Sequence, residues 1–159
     1  MQRSAGLSLI ELMVSVMILS VLAAVALPYA EREYMRKKEL ELRESLRTMR
    51  NAIDAFHSDW LKGRIPPGSG TASEDGYPVS LEVLVEGVDS GTMEGGRRYY
   101  LRRIPRNPFA DQSLDTDSHW QLRSYRDEPD TLAWGGEDVY DVWPATEGTA
   151  LDGSCRCDW

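Results

Sequence analysis

The first residue of this sequence able to do chemistry is a carboxylate placed where carboxylates are costly. Glu11 is the only full charge in residues 7–30, LSLIELMVSVMILSVLAAVALPYA. A lone carboxylate in lipid costs several kcal/mol unless it snorkels, takes a proton or meets a cation. The residues ahead of it point to a cation. Residues 1–6 form a short polar leader carrying one basic residue, Arg3, and ending in Gly6, which abuts the apolar run. A secretory signal has its small-residue cleavage site after the apolar stretch, which is then discarded. Here the small residue lies before the stretch. A cut between Gly6 and Leu7 would retain the apolar helix and create a free amine four residues from Glu11.

A second group is the acidic C-terminal part. Asp127, Glu128, Asp130, Glu137, Asp138, Asp141, Glu147, Asp152 and Asp158 stand against a single basic residue, Arg156. The turn-rich stretch 141–153, DVWPATEGTALDG, is the kind of oxygen-rich loop that a hard cation such as calcium organises, or else a set of solvated turn acids. Asp111, Asp115 and Asp117 form a smaller cluster without the glycine and twelfth-position glutamate of an EF-hand, and read as solvated. Cys155 and Cys157 are the only two cysteines. One residue apart, they leave open free thiols, a local or intermolecular bridge, and a metal-bound pair, the last lacking the four ligands of a structural zinc site. His57 and His119 are isolated in the sequence, and no nucleophile–base pattern or glycine-rich phosphate loop accompanies them.

Positioning these groups requires three kinds of element. At ~1.5 Å per residue, residues 7–30 make a helix of about 36 Å, enough to cross a hydrocarbon core of about 30 Å. Proline within it, at Pro28, is tolerated in membrane helices when neighbours satisfy the freed carbonyl. Residues 31–61 continue as a highly charged helix carrying an apolar stripe, Met35, Leu42, Leu46, Met49, Ile53, Phe56 and Trp60. From Leu42 its spacing alternates four and three, so the stripe occupies one face and predicts a spine onto which a small sheet packs. Gly63 and Pro66-Pro67 end the helix. Ser80 is an N-cap candidate for a short helix with Leu81, Leu84 and Val85 inward. Strands are expected at residues 99–104, 119–125 and 139–143, forming one antiparallel sheet. The fold class is therefore α+β, in a chain divided into a leader 1–6, a transmembrane helix 7–30 and a further domain 31–159. That domain comprises the spine 31–61, a loop region 62–96, and a sheet with the acidic loop at 97–159.

Composition narrows the function classes. The chain has 159 residues, 18 basic and 26 acidic, for a formal net charge of −8, which argues against nucleic acid as its partner. The five arginines Arg97, Arg98, Arg102, Arg103 and Arg106 read as a solvated or intersubunit ion-pairing surface. No constellation supports an enzyme, so a structural subunit is expected ahead of a signal-anchored periplasmic enzyme or a tethered binding module.

Gly6-Leu7-Ser8-Leu9-Ile10-Glu11 resembles the cleavage and methylation motif of type IV prepilins, with Leu7 where that family usually has phenylalanine. Gly76-Tyr77-Pro78 with the following helix, and the stretch from Tyr99 through Pro105 and Pro108 to Phe109, are similar to the G-type pseudopilins of type II secretion systems. Relative to that pattern, residues 63–75 look like an insertion. The resemblance implies a pilin-like fold and cleavage and N-methylation at Gly6/Leu7 by a prepilin peptidase. It also implies pairing of Glu11 with the N-terminal amine of an adjacent subunit, and a helix loosened at Pro28. It further implies a single-pass inner-membrane protein with its folded domain in the periplasm. Such subunits assemble into a helical filament with minor pseudopilins, on an inner-membrane platform driven by a cytoplasmic ATPase. Calcium bound in the C-terminal loop is likewise implied, with Asp141, Asp152 and Asp158 the matching acids. A major or minor type IV pilin, serving adhesion, motility or DNA uptake, is the alternative.

Overall fold

A computed structural model describes residues 8–66, 68–89, 96–129, 131 and 133–159. Gly6 and Leu7, the expected processing site, lie outside the described residues. The chain divides into two compact units, Met1–Lys37 and Lys38–Trp159. Helix α1, Leu9–Leu61, contributes to both.

In the first unit α1 carries its large apolar side chains outward, from Leu9 at 77% exposure to Leu27 at 66%, so the described residues offer them no cover. Length and apolar composition qualify this helix to cross a membrane. Its polar groups are handled locally. Ser15 Oγ donates to the Glu11 carbonyl at 2.7 Å and Ser20 Oγ to the Val16 carbonyl at 2.8 Å, so neither hydroxyl is left unpaired in apolar surroundings. Pro28 lies inside the helix without ending it. Met35, read as the first member of the stripe, is 44% exposed and does not join the core.

In the second unit the stripe behaves as its spacing predicts. Leu42, Leu46, Met49, Ile53 and Phe56 are buried and pack with Leu81, Leu84, Val88, Leu101, Trp120, Val139 and Val142 in one cluster, with Trp60 at its edge. Each such side chain contributes about 1.5–3 kcal/mol on burial. The helix ends through Gly63, at φ +67, with Gly63 N–H donating to the Trp60 carbonyl and Arg64 N–H to that of Asp59. This is the left-handed cap that glycine adopts at little cost. Gly76, at φ +85, lies flat against the Trp60 ring, where any Cβ would overlap the indole.

Helix α2, Leu81–Glu86, follows Ser80 as expected and buries Leu81 and Leu84. The sheet differs from expectation. Instead of three strands in one sheet, the described residues form two separate antiparallel pairs. The first joins β1, Val88–Asp89, to β2, Arg97–Arg98. The second joins β3, Trp120–Arg123, to β4, Asp141–Pro144, with Leu122 opposite Val142. Residues 99–104 are not a strand because a helix end takes their donors. Tyr100 and Leu101 N–H groups both donate to the Leu84 carbonyl at the C-terminal end of α2, at 3.0 and 2.9 Å. The third expected strand starts two residues late, since Val139 N–H donates to the Pro78 carbonyl.

Asp59, 2% exposed, ties the spine to this region. It pairs with Arg64 at 2.9 Å and Arg98 at 2.7 Å and accepts the Tyr100 hydroxyl at 3.0 Å. Burial, and then the bond to Asp59, pushes the Tyr100 phenol well above its ordinary value. Replacing Asp59 by alanine leaves the phenol unpaired and two guanidinium groups without their carboxylate. The expected loss is about 2–3 kcal/mol, reduced by the half-exposure of both arginines. Denaturant unfolding of the full chain in detergent checks this, and a loss below 0.5 kcal/mol, the scale of a neutral surface change, would contradict it.

Candidate functional site

Glu11 occupies the first turn of α1, where the positive end of the helix dipole favours a carboxylate. Its side chain is exposed and has no hydrogen-bond or ion-pair partner among the described residues. The apolar helix therefore presents one bare anion near its start, with Pro28 seventeen residues further along the same helix.

The C-terminal acids are arranged differently. Asp141 accepts Arg50 Nε at 2.8 Å on one oxygen and Arg123 at 3.4 Å on the other. The same Arg50 guanidinium donates to the main-chain oxygens of Val142 at 2.9 Å and Trp159 at 2.7 Å. Asp152 accepts the Ser154 hydroxyl and N–H on one oxygen and Arg43 at 3.3 Å on the other. The Ser154 hydroxyl, then its N–H and the Arg43 charge, hold the Asp152 carboxyl below its ordinary value. Arg43 also stacks over the Trp159 ring at 4.0 Å, and Glu39 Oε1 accepts Leu151 N–H at 2.8 Å. Asp158 is exposed beside the cysteines. Cys155 and Cys157 are joined in a disulfide, which selects the local bridge among the open readings.

A calcium ion shared by Asp141, Asp152 and Asp158 would have to displace Arg50 and Arg123 from the first and Arg43 from the second. These residues, as placed, do not fit one cation. Among the described residues, metal-ligating side chains gather in a group of three only at Cys155, Cys157 and Asp158. Two of those three are the disulfide sulfurs.

The remaining sequence candidates have structural roles. Asp111 accepts the N–H and hydroxyl of Ser113, which hold its carboxyl below the ordinary value. Burial and then the charge of Glu82 push Asp117 up. His119 is fully buried. Its Nδ1 accepts Asn107 N–H at 3.3 Å, and its Nε2 faces the Asp111 carbonyl at 3.1 Å, which assigns the neutral ring with the proton on Nε2. His57 stacks on Tyr77 at 4.2 Å. Of the arginines, Arg98 is committed to Asp59, and Arg102, Arg103 and Arg106 are exposed.

Two polar centres were not singled out from the sequence. Asn107, fully buried, accepts Phe109 N–H at 2.9 Å and donates to Thr146 Oγ1 at 3.0 Å. Asp138, 1% exposed, accepts Tyr125 N–H at 2.9 Å and the Ser73 hydroxyl at 2.6 Å. Next to it, Asp127 accepts the N–H groups of Gly135 and Ser124. A signal for Asp127 lay in the sequence, since aspartate is among the residues that form turns by bonding nearby backbone N–H groups.

Residues 1–27 match the family described as a prokaryotic N-terminal methylation motif, so the chain begins with a prepilin-type segment. Across most of its length it is similar to the type II secretion system core protein G of Klebsiella pneumoniae, at 27% identity over 146 residues, covering 87% of this chain and 94% of that protein. No solved structure matches it significantly.

Two expected outcomes follow. Replacing Arg50 by alanine should cost about 2 kcal/mol by taking a donor from the Asp141 carboxylate and from two main-chain oxygens at once. Lysine in its place should recover only part, because a point charge cannot bridge three acceptors. Denaturant unfolding of the full chain measures both, and full rescue by lysine would contradict the bridging role. For Asp127, a folded-state value held below the ordinary 3.8 by the N–H groups of Gly135 and Ser124 stabilises the fold above that pH. That contribution is lost as pH falls through the lower folded value. The melting-temperature gap between wild type and Asp127→Asn should therefore be full at neutral pH and shrink on acidification below 3.8. A gap that stays constant would contradict it.

Proposed function

We propose that this chain is a pseudopilin, a non-catalytic structural subunit whose apolar helix anchors it singly in the bacterial inner membrane and then forms the core of a type II secretion filament. The observation that carries this is Glu11, a partnerless carboxylate in an exposed apolar helix, four residues after the Gly6-Leu7 junction of the methylation motif. A prepilin peptidase cutting at that junction would supply an amine on Leu7. Within one chain the amine would be only four residues before the carboxylate in sequence. Between neighbouring chains offset along the helix axis, the amine of one lies against Glu11 of the next. In a lipid-like environment such a pair is much stronger than in water, and either charge alone is strongly disfavoured. Assembly therefore resolves the problem that a solitary helix cannot.

The similarity to core protein G extends through the folded unit, which favours secretion over the type IV pilin alternative. On this reading the folded unit faces the periplasm. Minor pseudopilins and an ATPase-driven inner-membrane platform are then its partners, and protein export across the outer membrane is the work of the filament.

Replacing Glu11 by alanine should abolish filaments. The unfolding transition of residues 38–159 should remain within 0.5 kcal/mol, the scale of a neutral surface change. Normal filaments from that variant would overturn the proposal.

A further inference from the structure

One face of the first unit continues beyond its apolar part. Ile18, Leu22, Val25, Tyr29, Arg32 and Arg36 recur at spacings of four, three, four, three and four, which places them on a single stripe of α1. From Leu9 to Tyr29 the helix advances about 30 Å, the thickness of a hydrocarbon core. Tyr29, 69% exposed, therefore falls at the membrane boundary, where tyrosine's apolar ring and polar tip are both accommodated. Arg32 and Arg36 lie about 5 and 10 Å further along, at the depth of the headgroups. Both are exposed and neither makes an ion pair among the described residues, although Glu33 is one residue from Arg32 and one turn from Arg36. Elsewhere in the chain arginines such as Arg50, Arg64, Arg98 and Arg126 each have a carboxylate within 3 Å. By helical spacing Glu31 falls on the face opposite the stripe. A planar guanidinium bonds phosphate oxygens through two parallel N–H groups, and two of them one turn apart reach the same headgroup layer.

We propose that Tyr29, Arg32 and Arg36 form an interfacial collar that binds the phosphate of an anionic phospholipid in the leaflet from which α1 emerges. The occupant follows from continuity. The collar extends the lipid-facing stripe without a break, and its depth is set by the apolar residues before it. It rests on the membrane-span part of the functional reading and not on filament assembly. The collar fixes how deep the helix sits and must release its lipid when the subunit leaves the bilayer.

The test uses the full chain in nanodiscs of phosphatidylcholine with a minor fraction of phosphatidylglycerol, and native mass spectrometry to count the lipids retained per chain. Phosphatidylglycerol should be enriched over its bulk fraction. Since a basic residue near an anionic surface is worth about five-fold in binding, the Arg32→Gln/Arg36→Gln chain should lose that enrichment by about five-fold or more. Arg102→Gln/Arg103→Gln, in the folded unit, should leave it unchanged. Absence of enrichment in wild type, or enrichment that survives Arg32→Gln/Arg36→Gln, would overturn the collar. Displacement of the lipid by inorganic phosphate would also overturn it, showing a phosphate site independent of the bilayer. Loss of filaments in the Glu11 variant with lipid enrichment intact leaves the collar standing. A chain that does not remain in the discs overturns the membrane span itself.

Discussion

An apolar helix with no cover of its own is the constraint on which the rest of this protein depends. From Leu9 to Leu27 its large apolar side chains are at least half exposed, and the described residues provide nothing to pack on them. Each would gain about 1.5–3 kcal/mol on leaving water. Only lipid or other such helices can supply that surface. Lipid accepts the leucines, isoleucines and valines but not Glu11, whereas a bundle of like helices accepts both once a cation accompanies the acid. The chain is thus tolerable in a membrane and better satisfied in a polymer.

The same helix changes chemistry further along. After Lys38 its apolar side chains narrow to a stripe buried by α2, β3, β4 and the segments between them. Its charged flank then works as an anchor. Glu39, Arg43 and Arg50 hold a segment that begins about ninety residues later, through Leu151, Asp152, Asp141 and Trp159. Two of its acids, Asp141 and Asp152, are met by guanidinium groups. A cation fitted to Asp141, Asp152 and Asp158 would compete with contacts already made.

Legibility in the sequence followed the range of the interaction. The spacing of Leu42, Leu46, Met49, Ile53 and Phe56 is a local property, and their burial could be read from it. So could the short helix after Ser80 and the anomaly of Glu11. Residues 99–104 were misread as a strand because a β-like texture does not reveal that the Leu84 carbonyl takes two of their N–H groups. Asp59 offered a partial signal. With Ser45 and Ala52 it recurs every seven residues beside the stripe, which marks a buried flank, but its partners Arg98 and Tyr100 are about forty residues away. Asn107 and Asp138 gave less, since a buried amide or carboxylate is defined by backbone donors that the fold brings to it. The Cys155–Cys157 bridge is local, yet spacing alone left it open beside free thiols and a metal-bound pair.

The account stands on the apolar helix being kept after the leader is removed. Intact mass and N-terminal sequencing of the chain isolated from membranes of its own host test this directly. The account predicts a mature protein that starts at Leu7, N-methylated, with residues 7–30 still attached. A chain that starts at Met1, or one that has lost residues 7–30, would contradict it.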